Sequence, residues 1–379
     1  MRKFGRPVEP CRQAGESESS DARSTADAER ATVADGSSMT TLLFAFSFHG
    51  APRVTNAARA AVRLTTASTE PWQNLFVETD DGKGYVSSVL PAGPNASPDT
   101  PPLLLVPPIG VGITRTFFNR FMREWVALGA PCEVHAPDLL GCGANWPRWP
   151  RKFYAPDDWA EQLDEYVRQN IARPVVVCTQ GGLAPVALEM WRLRRGEEGG
   201  LDTTIAGVSF ISPPLWQVGP PAPAKSRRLQ RAFWLLAQSS VGGFFYRYLR
   251  GKDGERIRNF SERNLFSEAA AVDDEWVENC VAGAAQTRSR HAVYSYLCGT
   301  LPGGAWRDDR SHLLRDLAVP AQVLRGDSVP DAAERLEVQK ALVPMASCCA
   351  VVPNSRAVLP WEAAPDTAKL VAEFLAANF

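Results

Sequence analysis

The sequence predicts an α/β protein: a doubly wound, mostly parallel sheet with a helical lid inserted in its second half. Three observations carry that prediction. Short runs such as Leu103–Val106 contain no polar residue, which is the pattern of strands buried on both faces of a parallel sheet. These runs alternate with stretches of helical length, and strand–helix–strand alternation implies right-handed crossovers. The alternation stops between residues 213 and 310 and then resumes to the C-terminus.

The elements follow in order after Trp72. Residues 74–78 and 84–90 alternate around Asp80-Asp81-Gly82-Lys83, a hairpin signal. A loop rich in Pro, Gly and Asn leads to the strand Leu103–Val106 and then to Pro107-Pro108-Ile109-Gly110-Val111-Gly112. A helix is expected over residues 114–128 and a strand over 132–136. The loop Asp138-Leu139-Leu140-Gly141-Cys142-Gly143 precedes a helix over 156–170. Residues 175–178 read as a strand, with a helix from about Gly181 to Gly196 and another strand over 206–211. The stretch 213–310 is helical in pattern and rich in aromatics, most simply a lid over the carboxyl edge of the sheet, where such folds bind ligands. Residues 321–324 and 348–352 complete the strands, with helices over 332–342 and 365–377. The chain thus divides into a tail (1–70), a first part of the core (71–212), the lid (213–310) and a second part of the core (311–379).

The tail has two compositions. Residues 1–38 are polar, mix acids freely and lack apolar periodicity, as disordered segments do. From Met39 to Ser68 there is no Asp or Glu, but Arg53, Arg59 and Arg63 and many Ser, Thr and Ala. That composition is expected of an organelle transit peptide, plastid first and mitochondrion as the alternative, with synthesis starting at Met39. The rival expectation is a disordered tail without an address.

Charge and cysteine usage exclude several classes. The 379 residues carry 41 Lys+Arg against 42 Asp+Glu, so no global field draws the chain to nucleic acid or to an anionic membrane. No apolar run reaches the roughly 18–20 residues of a membrane span. The eight cysteines include no C-x-x-C pair and no Cys/His spacing suited to zinc, so reduced thiols and no metal are expected. No Walker loop or G-x-G-x-x-G appears, and no cofactor is expected. The clusters Arg192-Arg194-Arg195 and Arg227-Arg228-Arg231 are short, and a solvated helix face accounts for them.

The loop pieces resemble the α/β-hydrolase fold from Leu103 onward. Leu103 to Gly112 is similar to that family's oxyanion loop, and Asp138 to Gly143 to its Asp-x-x-Gly-x-Gly loop. Thr179-Gln180-Gly181-Gly182 sits at the nucleophile turn, and Leu359-Pro360-Trp361-Glu362 sits where the terminal loop enters the last helix. The Asp138 and Leu359 segments also resemble hydrolase-like proteins of plastids and cyanobacteria. The resemblance implies a nucleophile, a histidine base and an orienting carboxylate. Thr179 occupies the nucleophile position, with Val177 where the pattern has Gly. Val358 occupies the histidine position, and a valine accepts no proton. Val329 occupies the usual acid position, flanked by Asp327 and Asp331, of which Asp327 is the candidate acid.

The backbone donors survive. The resemblance places the oxyanion-type N–H groups at Ile109 and Gln180, with Gly110 and Gly181 keeping the backbone open. His135 and His291 are the histidines that can border a pocket, with a hydrogen-bonded place under the following loop as the preferred reading of His135, and Val358 is a further lining candidate. Cys178 should face away from Thr179, because strand side chains alternate. Three functions follow: binding of an apolar, ester-like ligand with a polar head, ester hydrolysis through Thr179 in a non-standard arrangement, or a scaffold with a collapsed pocket.

Overall fold

The computed structural model describes residues 70–78, 84–145, 153–195, 204–213, 215–216, 227–298, 305–306, 311–329, 332–343 and 345–379. The expected disordered tail and transit peptide lie outside the described residues, as does the expected hairpin turn.

The elements run β1 (Gln73–Glu78), β2 (Gly84–Leu90), β3 (Leu103–Val106), α1 (Asn119–Ala127), β4 (Val134–Pro137), α2 (Pro156–Tyr166), β5 (Val175–Gln180), α3 (Ala184–Arg195) and β6 (Ile205–Ile211). A two-residue strand, β7 (Leu215–Trp216), leads to five helices: α4 (Arg227–Gln238), α5 (Ser240–Arg250), α6 (Glu255–Asn264), α7 (Asp274–Gly283) and α8 (His291–Cys298). The chain returns through β8 (Ala305–Trp306), α9 (Ser311–Asp316), β9 (Ala321–Gly326), α10 (Ala332–Leu342), β10 (Ala346–Val352), α11 (Leu359–Glu362) and α12 (Ala364–Asn378).

Eight strands form one sheet in the order β1-β2-β4-β3-β5-β6-β9-β10. β1 and β2 pair antiparallel, β2 and β4 also antiparallel, and the remaining neighbours are parallel. The apolar runs have the expected cause. β3 and β5 are buried along their whole length because helices cover both faces. Alternate residues divide between two cores. Leu104, Val106, Val175 and Val177 pack with α2 and α3, whereas Leu103, Leu105, Val176 and Cys178 pack with α1 and α12.

The strand order reverses around β3, whose neighbours are β4 on one side and β5 on the other. The loops leaving β3 and β5 therefore diverge to opposite faces, the switch point at whose carboxyl edge open α/β sheets bind ligands. The helices between β6 and β9 meet the loops of that edge. Tyr154 N–H donates to Ser295 Oγ at 2.8 Å, and Ala357 N–H donates to the Leu265 carbonyl at 3.0 Å. An aromatic cluster joins the insertion to the core: Trp276 lies edge-on to Phe117, Phe266 and Trp361. Such pairs contribute about 0.5–1.5 kcal/mol each beyond their buried area.

Candidate functional site

The carboxyl end of β5 is where a nucleophile would stand. Thr179 remains inside the strand, opposite Val106 on β3 and Phe210 on β6. Gln180 is still extended, with φ −104° and ψ 128°. The backbone turns left-handed only at the next residue, Gly181, with φ +59°. The sharp strand-to-helix turn is therefore centred on Gly181. The expectation that Thr179 occupies it is corrected by two residues. The Gly181-Gly182 pair misleads the sequence reading, because it invites alignment with the glycine that follows the nucleophile rather than with the nucleophile itself. A Cβ built on Gly181 would meet nothing within 4 Å. The turn thus offers space where a nucleophilic side chain would project, and carries none.

Strand alternation decides the neighbours. Thr179 follows Val177 onto the face covered by α3, and it is 1% exposed. Its hydroxyl is buried without a hydrogen-bond partner. Gln180 takes the other face and donates from Nε2 to the Ala357 carbonyl, one residue before Val358. The end of β5 is thereby tied to the last loop. Val358, the residue that the resemblance sets at the base position, is buried at the start of α11.

The loop after β3 lies under the insertion. Gly112 has φ +76°, and its N–H donates to the Tyr246 hydroxyl at 3.2 Å. Burial pushes that phenol up to about 12. Tyr246, Ala284 and Val293 form a small apolar cluster against which half-buried Ile109 and Val111 pack. The Ile109 N–H donates to no acceptor among the described residues. The residue after the left-handed turn is Gly182 and not Gln180, which is still in β5.

The candidate acid is occupied elsewhere. Asp327 is exposed just after β9, where its carboxylate accepts from Asn354 N–H at 3.0 Å and from Ser355 N–H at 3.2 Å. Desolvation raises its pKa, and the N–H donors outweigh that and hold it below the usual range. Asp327 fastens the turn after β10. Val329 follows it and is half-buried, and Asp331 lies outside the described residues.

Neither candidate histidine replaces the base. His135 lies within β4, with Nδ1 2.8 Å from the Tyr166 hydroxyl and Nε2 3.1 Å from a Glu133 oxygen. Of its two expected places the ring takes the hydrogen-bonded one, in an internal network that continues from Tyr166 to Ser87. His291 is buried at the start of α8, where Ala292 N lies 3.1 Å from the Cβ that Gly141 lacks. Burial, and then the neighbouring Arg290, hold His291 down at about 4. No hydrogen bond among the described residues joins either histidine to Thr179.

Two features escaped the sequence reading. Asp138, fully buried, accepts from Arg115 N–H at 3.0 Å and from the Arg115 guanidinium at 2.9 Å, joining the loops after β3 and β4. Ser212, at the end of β6, has φ +47°, and its hydroxyl is buried without a partner. A left-handed residue other than glycine at a strand end is a stored strain of the sort found near binding sites. Its only sequence signal is its place between a strand and Pro213. Among the described residues no group of three or more His, Cys, Asp or Glu is placed to hold a metal ion. An open groove of about 490 Å³ lies on the insertion, lined mainly by charged residues such as Lys252, Glu255 and Asp274, and not at the strand ends.

Comparison with known proteins agrees with the fold. The model of the alpha/beta hydrolase family matches residues 103–370. A thermophilic esterase from Thermogutta terrifontis, in its malate-bound structure, is similar at 19% identity over 80% of this chain and 98% of its own, with a TM-score of 0.56. The thioesterase domain from the curacin biosynthetic pathway also shares 19% identity, over 80% of this chain and 99% of its own, with a TM-score of 0.56. The epoxide hydrolase CorEH shares 15% over 81% and 99%, with the same TM-score. At these identities the likeness is one of fold. No curated protein matches the chain.

Proposed function

Because the chain belongs to the alpha/beta hydrolase family, we propose that it is a non-catalytic member, one that binds a small apolar molecule with a polar head instead of cleaving it. The observation that carries this reading is Gly181 at the left-handed turn. Acyl transfer needs an attacking oxygen or sulfur at that point, a base beside it and a group orienting the base. Glycine, Val358 and a carboxylate engaged with Asn354 and Ser355 supply none of the three. What the edge retains is backbone: the Ile109 N–H, which meets no acceptor among the described residues, and the open space beside Gly181, where a Cβ would meet nothing within 4 Å. Donors of that kind hold a carbonyl or carboxylate without breaking it. Esters of lipid-like or isoprenoid-like alcohols are the ligand class in keeping with the family.

A second reading, a scaffold with a closed crevice, is favoured by the tight seating of α7 on the loop after β3. The Cβ missing from Gly283 would lie 2.0 Å from the Gly112 carbonyl oxygen. Native mass spectrometry of protein purified from its own cells separates the two. A co-purifying apolar small molecule supports binding, and its absence at full folding supports the scaffold. Turnover of a p-nitrophenyl ester panel that disappears in Thr179→Ala would overturn both. The composition of residues 39–68 supports import into a plastid. A reporter fused to residues 39–70 and remaining in the cytosol removes that part of the proposal.

A further inference from the structure

We propose that the corner formed by α4 and α5 is a docking surface for an anionic lipid membrane. The first observation is charge. The two helices carry five arginines and no carboxylate, and no Asp or Glu occurs anywhere between Asp202 and Asp253. The chain as a whole is nearly neutral, so this is a local field and not a global one. Arg228, Arg231 and Arg247 are exposed, and none makes an ion pair among the described residues.

The second observation is apolar exposure at the same place. Leu235 is 56% exposed, Val241 47% and Phe244 65%. Leu235 lies in the last turn of α4, and Val241 and Phe244 lie in the first turns of α5, with only Ser239 between the helices. Along α4, Arg228, Arg231 and Leu235 share one helical face, and along α5 so do Val241, Phe244 and Arg247. The corner is closely packed. Ser239 caps α5 through Gly242 N–H, and the Gly242 Cβ position would lie 2.1 Å from the Leu236 carbonyl oxygen, so the two backbones touch. Buried Arg290 fastens the junction from below by donating to the Ala237 carbonyl.

A closely packed corner with exposed apolar side chains, and arginines that make no ion pair among the described residues, suits an interface of hydrocarbon beneath anionic headgroups. An acidic protein partner is the rival occupant; the complete lack of Asp and Glu from residue 203 to residue 252 favours a uniformly anionic surface over a protein interface, and the test separates the two. The inference stands independently of whether the strand-end site binds or cleaves anything.

The test is co-sedimentation of the full chain with vesicles of phosphatidylcholine alone and of phosphatidylcholine with 30% phosphatidylglycerol, at 50 mM and 500 mM salt. Binding to the anionic vesicles at low salt is expected, with little to the neutral ones and a steep loss at high salt. Arg228→Gln with Arg231→Gln and Arg247→Gln should weaken partitioning about a hundredfold. Leu235→Ser with Phe244→Ser should weaken it at least tenfold and leave the thermal midpoint unchanged, since both sites are exposed. No binding to anionic vesicles overturns the proposal. So does binding that persists in the arginine variant, which would place it on another basic segment such as the tail. Binding that persists in the Leu235 and Phe244 variant, together with capture of a soluble acidic polypeptide, would identify a protein partner in place of a membrane.

Discussion

Gly112 and Cys280 meet backbone to backbone: the Cβ that Gly112 lacks would lie 1.7 Å from the Cys280 carbonyl oxygen. That approach seats α7 on the loop after β3, and it is compatible only with glycine, because φ there is also +76°. Gly112→Ala should therefore either lift α7 away or strain both loops. A loss of about 3 kcal/mol or more is expected in denaturant unfolding. A variant as stable as the parent would show that the insertion is not anchored there.

Gly181 differs from Gly112 in having room. Gly181→Ser should cost only the left-handed backbone penalty, about 1–2 kcal/mol, with no steric addition. The serine would stand where a nucleophile stands in the family, yet Val358 supplies no base. The expected result is a folded protein without ester turnover. Measurable turnover in this variant alone would show that some other group on the edge accepts a proton.

The buried pair of Asp138 and Arg115 links the loops after β3 and β4. Asp138→Asn keeps the shape but leaves the Arg115 guanidinium without its carboxylate. Breaking a buried pair in this way costs about 3 kcal/mol. Arg115 is partly exposed, with 16% of its side chain accessible, so water reduces that figure. Replacing Arg115 as well, by Met, should recover part of the loss, and a double-mutant cycle in urea would measure the coupling.

His291 predicts an acid-side dependence of stability. In the folded chain its pKa is about 4, held down by burial, against 6.5 for the unfolded chain. Between those values the unfolded state binds more protons, so its contribution is intact above pH 6.5 and lost as pH falls toward 4. The full effect is on the order of 3 kcal/mol. His291→Gln should flatten the thermal midpoint between pH 6.5 and 4 relative to the parent, while an unchanged slope would assign the acid sensitivity to other groups.

The described cysteines divide by burial. Cys132 and Cys280 are buried, and desolvation raises both thiols to about 12, so little thiolate exists to react. Cys142 and Cys178 are shifted in the same direction for the same reason. Cys348 and Cys349, on β10, are partly exposed. A maleimide applied to folded protein should label the β10 pair well before the four buried thiols, as read by peptide mass mapping. Early labelling of Cys178 would mean that the β5 edge opens.

The sequence by itself determined the alternation of strands and helices, the position of the helical insertion and the absence of a histidine near the last loop. These follow from local hydrophobic period and residue identity, which need no tertiary context. It also placed Cys178 and Thr179 on opposite faces of β5, because strand side chains alternate. Only the tertiary structure decided which residue stands at the turn. The left-handed angle at Gly181 depends on where pairing of β5 with β3 and β6 ends, and that end is set by neighbouring strands. The same holds for Asp327, drawn to the N–H groups of Asn354 and Ser355, and for His135, drawn into the Tyr166 network, since each partner arrives from a distant part of the chain. Sequence spacing fixes what a residue can do, and packing fixes what it faces.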